Sequence, residues 1–368
     1  MRNLASWLNE IELEGTGVRR SLSILAPLFS VLIAFGAVSL LMLFSGVAFP
    51  SDTVSLIVEA LFSEANLKES LVMIVPVALT SLGVSVALKA GFWNIGGEGQ
   101  LLLGALGGFL VTITIPTQHG SLGLLAGCFA AFICGGCVCV AIAFAKTNRG
   151  ADEVFLTLMS NFAAVYFVGY LVSGPLRDPI TNWIQSIPLP GSMRFSRIPG
   201  WGRVNTSLFV MALCSSVLIF AEKRSYWNIV FNVTKNSSYA IQIHDLNPNS
   251  IIVLAAFISG GLCGLAGWAE LAGTQYRLIE NLSPGYGYFA VLTAVLANGR
   301  ITQTILYSVM MSVILNGIDS FTHQAHIPTY IGDVLLGICL VSYIVLFKFS
   351  RNSIRLRSKG TKLVEWNS

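Results

Sequence analysis

Residues Gly91–Leu103 read GFWNIGGEGQLLL. Long apolar runs flank this stretch, yet it holds four glycines, the amides Asn94 and Gln100, and the acid Glu98. Each glycine costs a helix interior about 1 kcal/mol relative to alanine. Gly91, Gly96, Gly97 and Gly99 together therefore read as a break between two helices. Glu98 then falls in the first turn of the second helix, where free N–H groups and the helix dipole favour an acid. A second reading is compatible with the first: the break leaves backbone and amide groups facing a solute path, as in discontinuous transporter helices.

The composition sets the surroundings of that break. Of 368 residues, 54% are hydrophobic and 11% charged, against about 25% charged in an ordinary soluble domain. Apolar windows at 22–49, 70–90, 98–116, 121–145, 153–173, 206–222, 251–272, 283–298, 302–319 and 328–349 approach spanning length. Barrel strands would alternate instead of running continuously. The expected fold is an all-α, polytopic transmembrane bundle of about ten spans with both termini cytoplasmic. With that topology, most of the 22 Lys and Arg fall on the inner side. The expected organisation is a cytoplasmic segment 1–20, a first span and outer loop 21–69, a core 70–350, and a basic tail 351–368. Within the core, 174–205 forms an outer loop and 221–250 a cytoplasmic segment.

Several chemistries have no sequence support. No G-x-x-x-x-G-K-[ST] nucleotide loop, Ser-His-Asp set, H-E-x-x-H or dinucleotide fingerprint occurs. The seven cysteines lie in predicted spans and read as small apolar packing residues. No metal site is expected.

Polar residues inside a bilayer are costly and normally face protein or a watery path. That narrows attention to Asn94, Glu98 and Gln100, to Thr157 and Asn161 in ADEVFLTLMSNFAAVY (151–166), and to Glu270, Gln275, Asn316 and Asp319. Thr157 and Asn161 are four apart and share a helix face. Asp152 and Glu153 suit the start of their helix. Gly260 and Gly264 would let the helix at 251–272 sit close to a neighbour.

GFWNIGGEGQLLLGALGG, ADEVFLTLMSNFAAVY and GLAGWAELAG with SPGYGYFAVLTAVLANG resemble, in that order, the membrane subunits of ABC importers for simple sugars and nucleosides. The chain is most similar to the permeases that work with nucleoside-binding lipoproteins of the basic membrane protein type. The resemblance covers about residues 70–345. Trp93 replaces the usual Phe of the first motif. Phe231–Asn236 lacks the Arg and Gly that such permeases often carry ahead of their coupling helix.

The resemblance implies a permease with no cofactor and no catalysis of its own, ATP and Mg being bound by partner ATPase subunits. It implies a second permease subunit, different or identical, and a periplasmic or lipid-anchored solute-binding protein docking near 174–205. The setting is the lipid of a bacterial inner membrane, with no nucleic acid involved. The candidate translocation path comprises Asn94, Glu98, Gln100, Thr157, Asn161, Phe162 and Tyr286. The candidate ATPase-coupling residues are Lys235, Tyr239, Ala240, His244 and Leu246. A nucleoside is the expected solute, a ribose- or galactose-like sugar the alternative, and an ion-coupled secondary transporter a further one.

Overall fold

A computed structural model of the chain describes residues 53–181, 183–224, 226–236 and 246–324, with isolated positions at 36, 334, 337, 338, 341, 342 and 345. Windows 22–49 and 328–349, the two terminal segments, and coupling candidates Tyr239, Ala240 and His244 lie outside the described residues or among these isolated positions. Residues Val58–Gly317 form one compact unit, which holds every side-chain contact described below.

The described residues are helical, with isolated bridges and no strand. In chain order the helices are α1 (Thr53–Phe62), α2 (Glu64–Lys89), α3 (Gly97–Thr114), α4 (Gly120–Arg149), α5 (Glu153–Ser173), α6 (Ser207–Arg224), α7 (Tyr226–Asn236), α8 (Pro248–Glu270), α9 (Tyr286–Leu296) and α10 (Ile301–Gln324). Among the described residues, six helical segments are long and apolar enough to cross a membrane: Glu64–Lys89, Gly97–Thr114, Thr117–Arg149, Glu153–Ser173, Pro248–Gln275 and Ile301–Gln324. The protein is an all-α, polytopic membrane protein. The 206–222 window is helical but outside that group, and the 283–298 window yields only the 11-residue α9.

The centre is α2 and α8. Ser63 caps α2 by accepting from the Asn66 amide, and Asn247 caps α8 by accepting from that of Asn249, with Pro248 in the first turn. Both helices are buried over most of their length, as expected where water drives nothing and helices associate by close packing. The small residues of α8 make that contact. A Cβ on Gly264 would stand 2.1 Å from the Ala131 carbonyl oxygen, and one on Gly267 would stand 1.9 Å from that of Leu101. Backbone therefore meets backbone at α4 and α3, and Trp268 is fully buried beside Gly108 and Gly127.

Helices α4, α5 and α6 form the exterior and keep Phe129, Ile133, Phe155, Tyr166, Phe209 and Phe220 exposed, an apolar rind suited to lipid or a partner helix. Gly150, with φ 65°, ends α4 in the left-handed conformation. Asp152 then caps α5 by accepting from the amides of Val154 and Phe155.

One end of the bundle is closed by residues 174–206, which fold back on the segment after α8. Ser186 and Leu278 exchange two hydrogen bonds, Leu189 N–H donates to the Tyr276 carbonyl, and Asn205 donates to that of Gly273. Arg277 pairs with Asp178 at 2.8 Å, and Arg194 stacks over the Tyr276 ring. Three hydrogen bonds reach the Asp178 carboxylate, from the Ile180 amide, Arg277 and Thr181. They hold its pKa below the ordinary aspartate value, the Ile180 amide contributing most and Arg277 next. The opposite end carries Lys89, Lys146, Arg149, Lys223, Lys235 and Arg300.

Candidate functional site

The break at 91–96 starts from the basic end. Gly91 has φ 78°, and the turn it makes is fastened by Lys146, which donates to the Gly91 carbonyl at 3.0 Å, pairs with Glu153 at 2.6 Å and lies over the Phe92 ring. Beyond it residues 92–95 have no regular structure, and Gly96 turns the chain into α3, which begins at Gly97. An irregular segment inside the bundle leaves its backbone groups without helical partners, and those groups must be satisfied locally.

Side chains from three helices do this. Asn94 donates to Gln100 Oε1 and to Ser259 Oγ, both at 2.8 Å, while its own Oδ1 accepts from the Gly96 amide and from Gln100 Nε2. Asn161 accepts from the Gly99 amide at 2.8 Å and donates to the Ile95 carbonyl at 3.0 Å. The Ile95 amide donates to Thr157 Oγ1 at 3.3 Å. Asn94, Gln100, Thr157 and Asn161 are all buried. An amide offers a donor and an acceptor on one head, and Asn161 uses both to stitch the broken backbone to α5.

Glu98 has a different partner. Its carboxylate is buried and accepts the Gly287 amide at 2.7 Å, in the first turn of α9. The neighbouring Tyr286 amide is taken by Ser283 Oγ at 3.0 Å. Gly285, with φ 93°, turns the chain into α9. The two helix starts are in backbone contact, since a Cβ on Gly287 would stand 2.2 Å from the Glu98 nitrogen. Helix α9 has 11 residues and so covers about 16 Å, roughly half of a ~30 Å hydrocarbon layer. Two helix N-termini, each with about half a positive charge, thus meet at one buried carboxyl group.

Of the residues singled out from sequence, the structure brings Asn94, Glu98, Gln100, Thr157 and Asn161 into this cluster, with buried Tyr286 at its edge on the first turn of α9. Phe162 is not in it, being half-exposed on the outer side of α5. Lys235, in the last turn of α7, lies close to the break, its Cα 3.3 Å from where a Gly91 Cβ would lie. Leu246 is partly buried just before the α8 cap. Glu270 is buried and accepts from Gln275 at 3.2 Å near the opposite end, and Asn316 donates to the Asn66 carbonyl and to Ser70.

Three further residues take part that were not among the expected site residues, although Ser283 lies in the quoted SPGYG motif. Ser259 is a hydroxyl within the small-residue run of α8, and its polarity was the available signal. Ser283 stands three residues before the amide it caps, the spacing of a helix cap. Glu222, near the end of α6, pairs with Lys89 at 2.5 Å and accepts the Ile301 amide at 3.1 Å. It thereby caps α10 and ties it to α2. Neutral amides, hydroxyls and one buried carboxyl group can bind and orient a solute by hydrogen bonds and can hold a broken helix in register.

Residues 66–344 match the family described as branched-chain amino acid transport system / permease component. The chain is 29% identical over 318 residues to the glucose ABC transporter permease protein of Haloferax volcanii, covering 82% of this chain and 83% of that one. It is 26% identical over 355 residues to the guanosine ABC transporter permease protein of Bacillus subtilis, covering 93% and 99%. It is also 21% identical over 359 residues to the nucleoside ABC transporter permease protein of Lactococcus lactis subsp. cremoris, covering 93% and 96%.

Proposed function

The chain belongs to the branched-chain amino acid transport system / permease component family, and from that premise we propose that it is the permease subunit of an ATP-driven ABC importer for nucleosides. The observation that carries the reading is the near end-to-end match to a permease named for guanosine, 93% of this chain against 99% of that one. A second relative named for nucleosides matches over a similar span. A sugar is the second reading, favoured by the relative named for glucose.

In this reading the bundle has about ten spans, and its basic end faces the cytoplasm of a bacterial inner membrane. The 174–206 cap then lies outside, where a solute-binding protein delivers the nucleoside. ATP is hydrolysed on separate subunits, and a second permease chain completes the pathway. Asn94, Gln100, Thr157 and Asn161 present hydrogen-bonding groups of the kind a nucleoside needs.

The contact of Lys235 with the Gly91 turn supports a mechanical route. The segment after Lys235, with Tyr239, Ala240, His244 and Leu246, docks on the ATPase. Its displacement pushes on Gly91, and the break transmits the movement to the facing starts of α3 and α9. Uptake of labelled guanosine by cells expressing the full system tests the solute. Competition by unlabelled nucleosides is expected. Competition by glucose alone would move the assignment to the sugar reading.

A further inference from the structure

Two cavities open side by side at the basic end of the bundle. One, of about 430 Å³, lies among α2, α6, α7 and α8 and is lined by Val86, Val217, Leu218, Phe231, Leu254 and Ile258. The other, of about 410 Å³, is polar and is lined by Lys235, Asn232, Asn298 and Arg300. Lys89, Glu222 and Asn228 line both, so the two share a wall.

The charges in the polar cavity are unequal. Glu222 is satisfied by Lys89 and by the Ile301 amide. Lys235 and Arg300 form no ion pair among the described residues. Among the described residues lining the polar cavity, three cations therefore face one carboxylate, directly beside an apolar cavity. A soluble anion would use only the first cavity, and a hydrocarbon only the second. An amphiphile with an anionic head uses both.

The depth also fits. Helix α7 leaves Tyr226, Trp227 and Ile229 exposed and buries Val230, Phe231 and Thr234, with Trp227 also lining the apolar cavity. An amphipathic helix with exposed Trp and Tyr that follows an apolar helix suits headgroup level. Lys and Arg pockets between helices at that level suit phosphate headgroups.

We propose that this paired cavity is a binding site for an anionic phospholipid, with the phosphate between Lys235 and Arg300 and an acyl chain in the apolar slot against Val217 and Leu218. The lipid lies against Lys89 and Glu222, where α2, α6 and α10 are tied together. It acts as a structural ligand of that junction. The site depends on the chain being a membrane protein and is independent of which solute it carries.

The test uses the full chain in phosphatidylcholine nanodiscs with and without phosphatidylglycerol, read by thermal unfolding and by native mass spectrometry of retained lipid. Phosphatidylglycerol is expected to be retained and to raise the unfolding temperature. The K235A/R300A double variant should lose on the order of twentyfold in preference for the anionic lipid, about fivefold per basic side chain. Leu218→Trp, which fills the apolar slot and leaves the charges in place, should lose retention as well. The water-soluble glycerophosphoglycerol headgroup should give no stabilisation. Equal retention of both lipids, unchanged preference in the double variant, or full stabilisation by the free headgroup would each overturn the proposal. None of these readouts depends on transport, so failure here is separable from failure of the importer reading.

Discussion

The Glu98 carboxylate accepts the Gly287 amide at 2.7 Å across 189 positions of sequence. That single bond joins the first turn of α3 to the first turn of α9. It places one buried carboxyl group where two helix N-termini meet. In transporters with broken helices such termini often address an anionic group of the solute. Here a carboxyl group of the protein itself occupies that position.

Replacing Glu98 separates charge from hydrogen bonding. Glu98→Gln keeps an acceptor for Gly287, and its unfolding temperature should stay close to wild type. Glu98→Ala leaves the Gly287 amide unsatisfied in a buried site, at a cost of about 1–3 kcal/mol, and should unfold measurably earlier. Thermal unfolding in detergent checks both, and equal stability of wild type and the alanine variant would remove Glu98 from the junction.

Gly287 leaves no room for a side chain, since its Cβ would stand 2.2 Å from the Glu98 nitrogen. Gly287→Ala must push α3 and α9 apart, with an expected loss of about 1–3 kcal/mol from overpacking and a clear fall in uptake. Gly191→Ala, where nothing lies within 4 Å, is the control and should behave as wild type in both measurements.

Asn161 needs both ends of its amide. Asn161→Asp can still accept from Gly99 but sets an oxygen against the Ile95 carbonyl. It should therefore be no better tolerated than Asn161→Ala, which orphans two backbone groups at about 1–3 kcal/mol each. Expression and monodispersity on size exclusion report this directly. A stable, active aspartate variant would show that the Ile95 bond is dispensable.

Much of this was legible before any coordinates. The glycines of 91–99 marked a break, Glu98 marked the helix start that follows it, and the four-residue spacing of Thr157 and Asn161 placed both on one face. Gly260 and Gly264 announced close packing, and the structure places them against α4. Other relationships are set by three-dimensional contact alone. Nothing in SPGYG says that its amide will meet Glu98, and the pairing of Ser186 with Leu278 spans 92 positions. Helix α5 is apolar nearly all round, so periodicity could not tell that Phe162 faces outward while Asn161 faces in. The cap at 174–206 holds only one short 3-10 turn, and long-range contacts with the segment after α8, with Thr117 and with Glu69 help give it shape.

The cap should respond to acid. The folded-state pKa of Asp178 lies below its unfolded value because the Ile180 amide, and then Arg277, favour the carboxylate. Its contribution is therefore full above the ordinary aspartate range and is lost as pH falls through the depressed folded value. Trp183 is exposed nearby, and its fluorescence can follow the change. Arg277→Ala should move the transition to higher pH, and an unmoved transition would assign it to another group.

Glu222 holds Lys89 and caps α10 at once. Glu222→Ala leaves a partly buried lysine and a free Ile301 amide, with an expected loss of about 1–3 kcal/mol. Because this junction adjoins the segment assigned to coupling, ATP hydrolysis by the assembled complex should continue while uptake falls. A variant with parallel losses of both activities would indicate failed assembly instead of lost transmission.

The most direct test is transport by the purified complex in proteoliposomes, with the binding protein and labelled guanosine on one side and ATP on the ATPase side. Uptake is expected only when ATP is present and hydrolysed, and it should vanish when the ATPase subunits are inactivated. Guanosine uptake driven by an ion gradient without ATP hydrolysis would contradict the assignment of this chain as the permease of an ATP-driven importer.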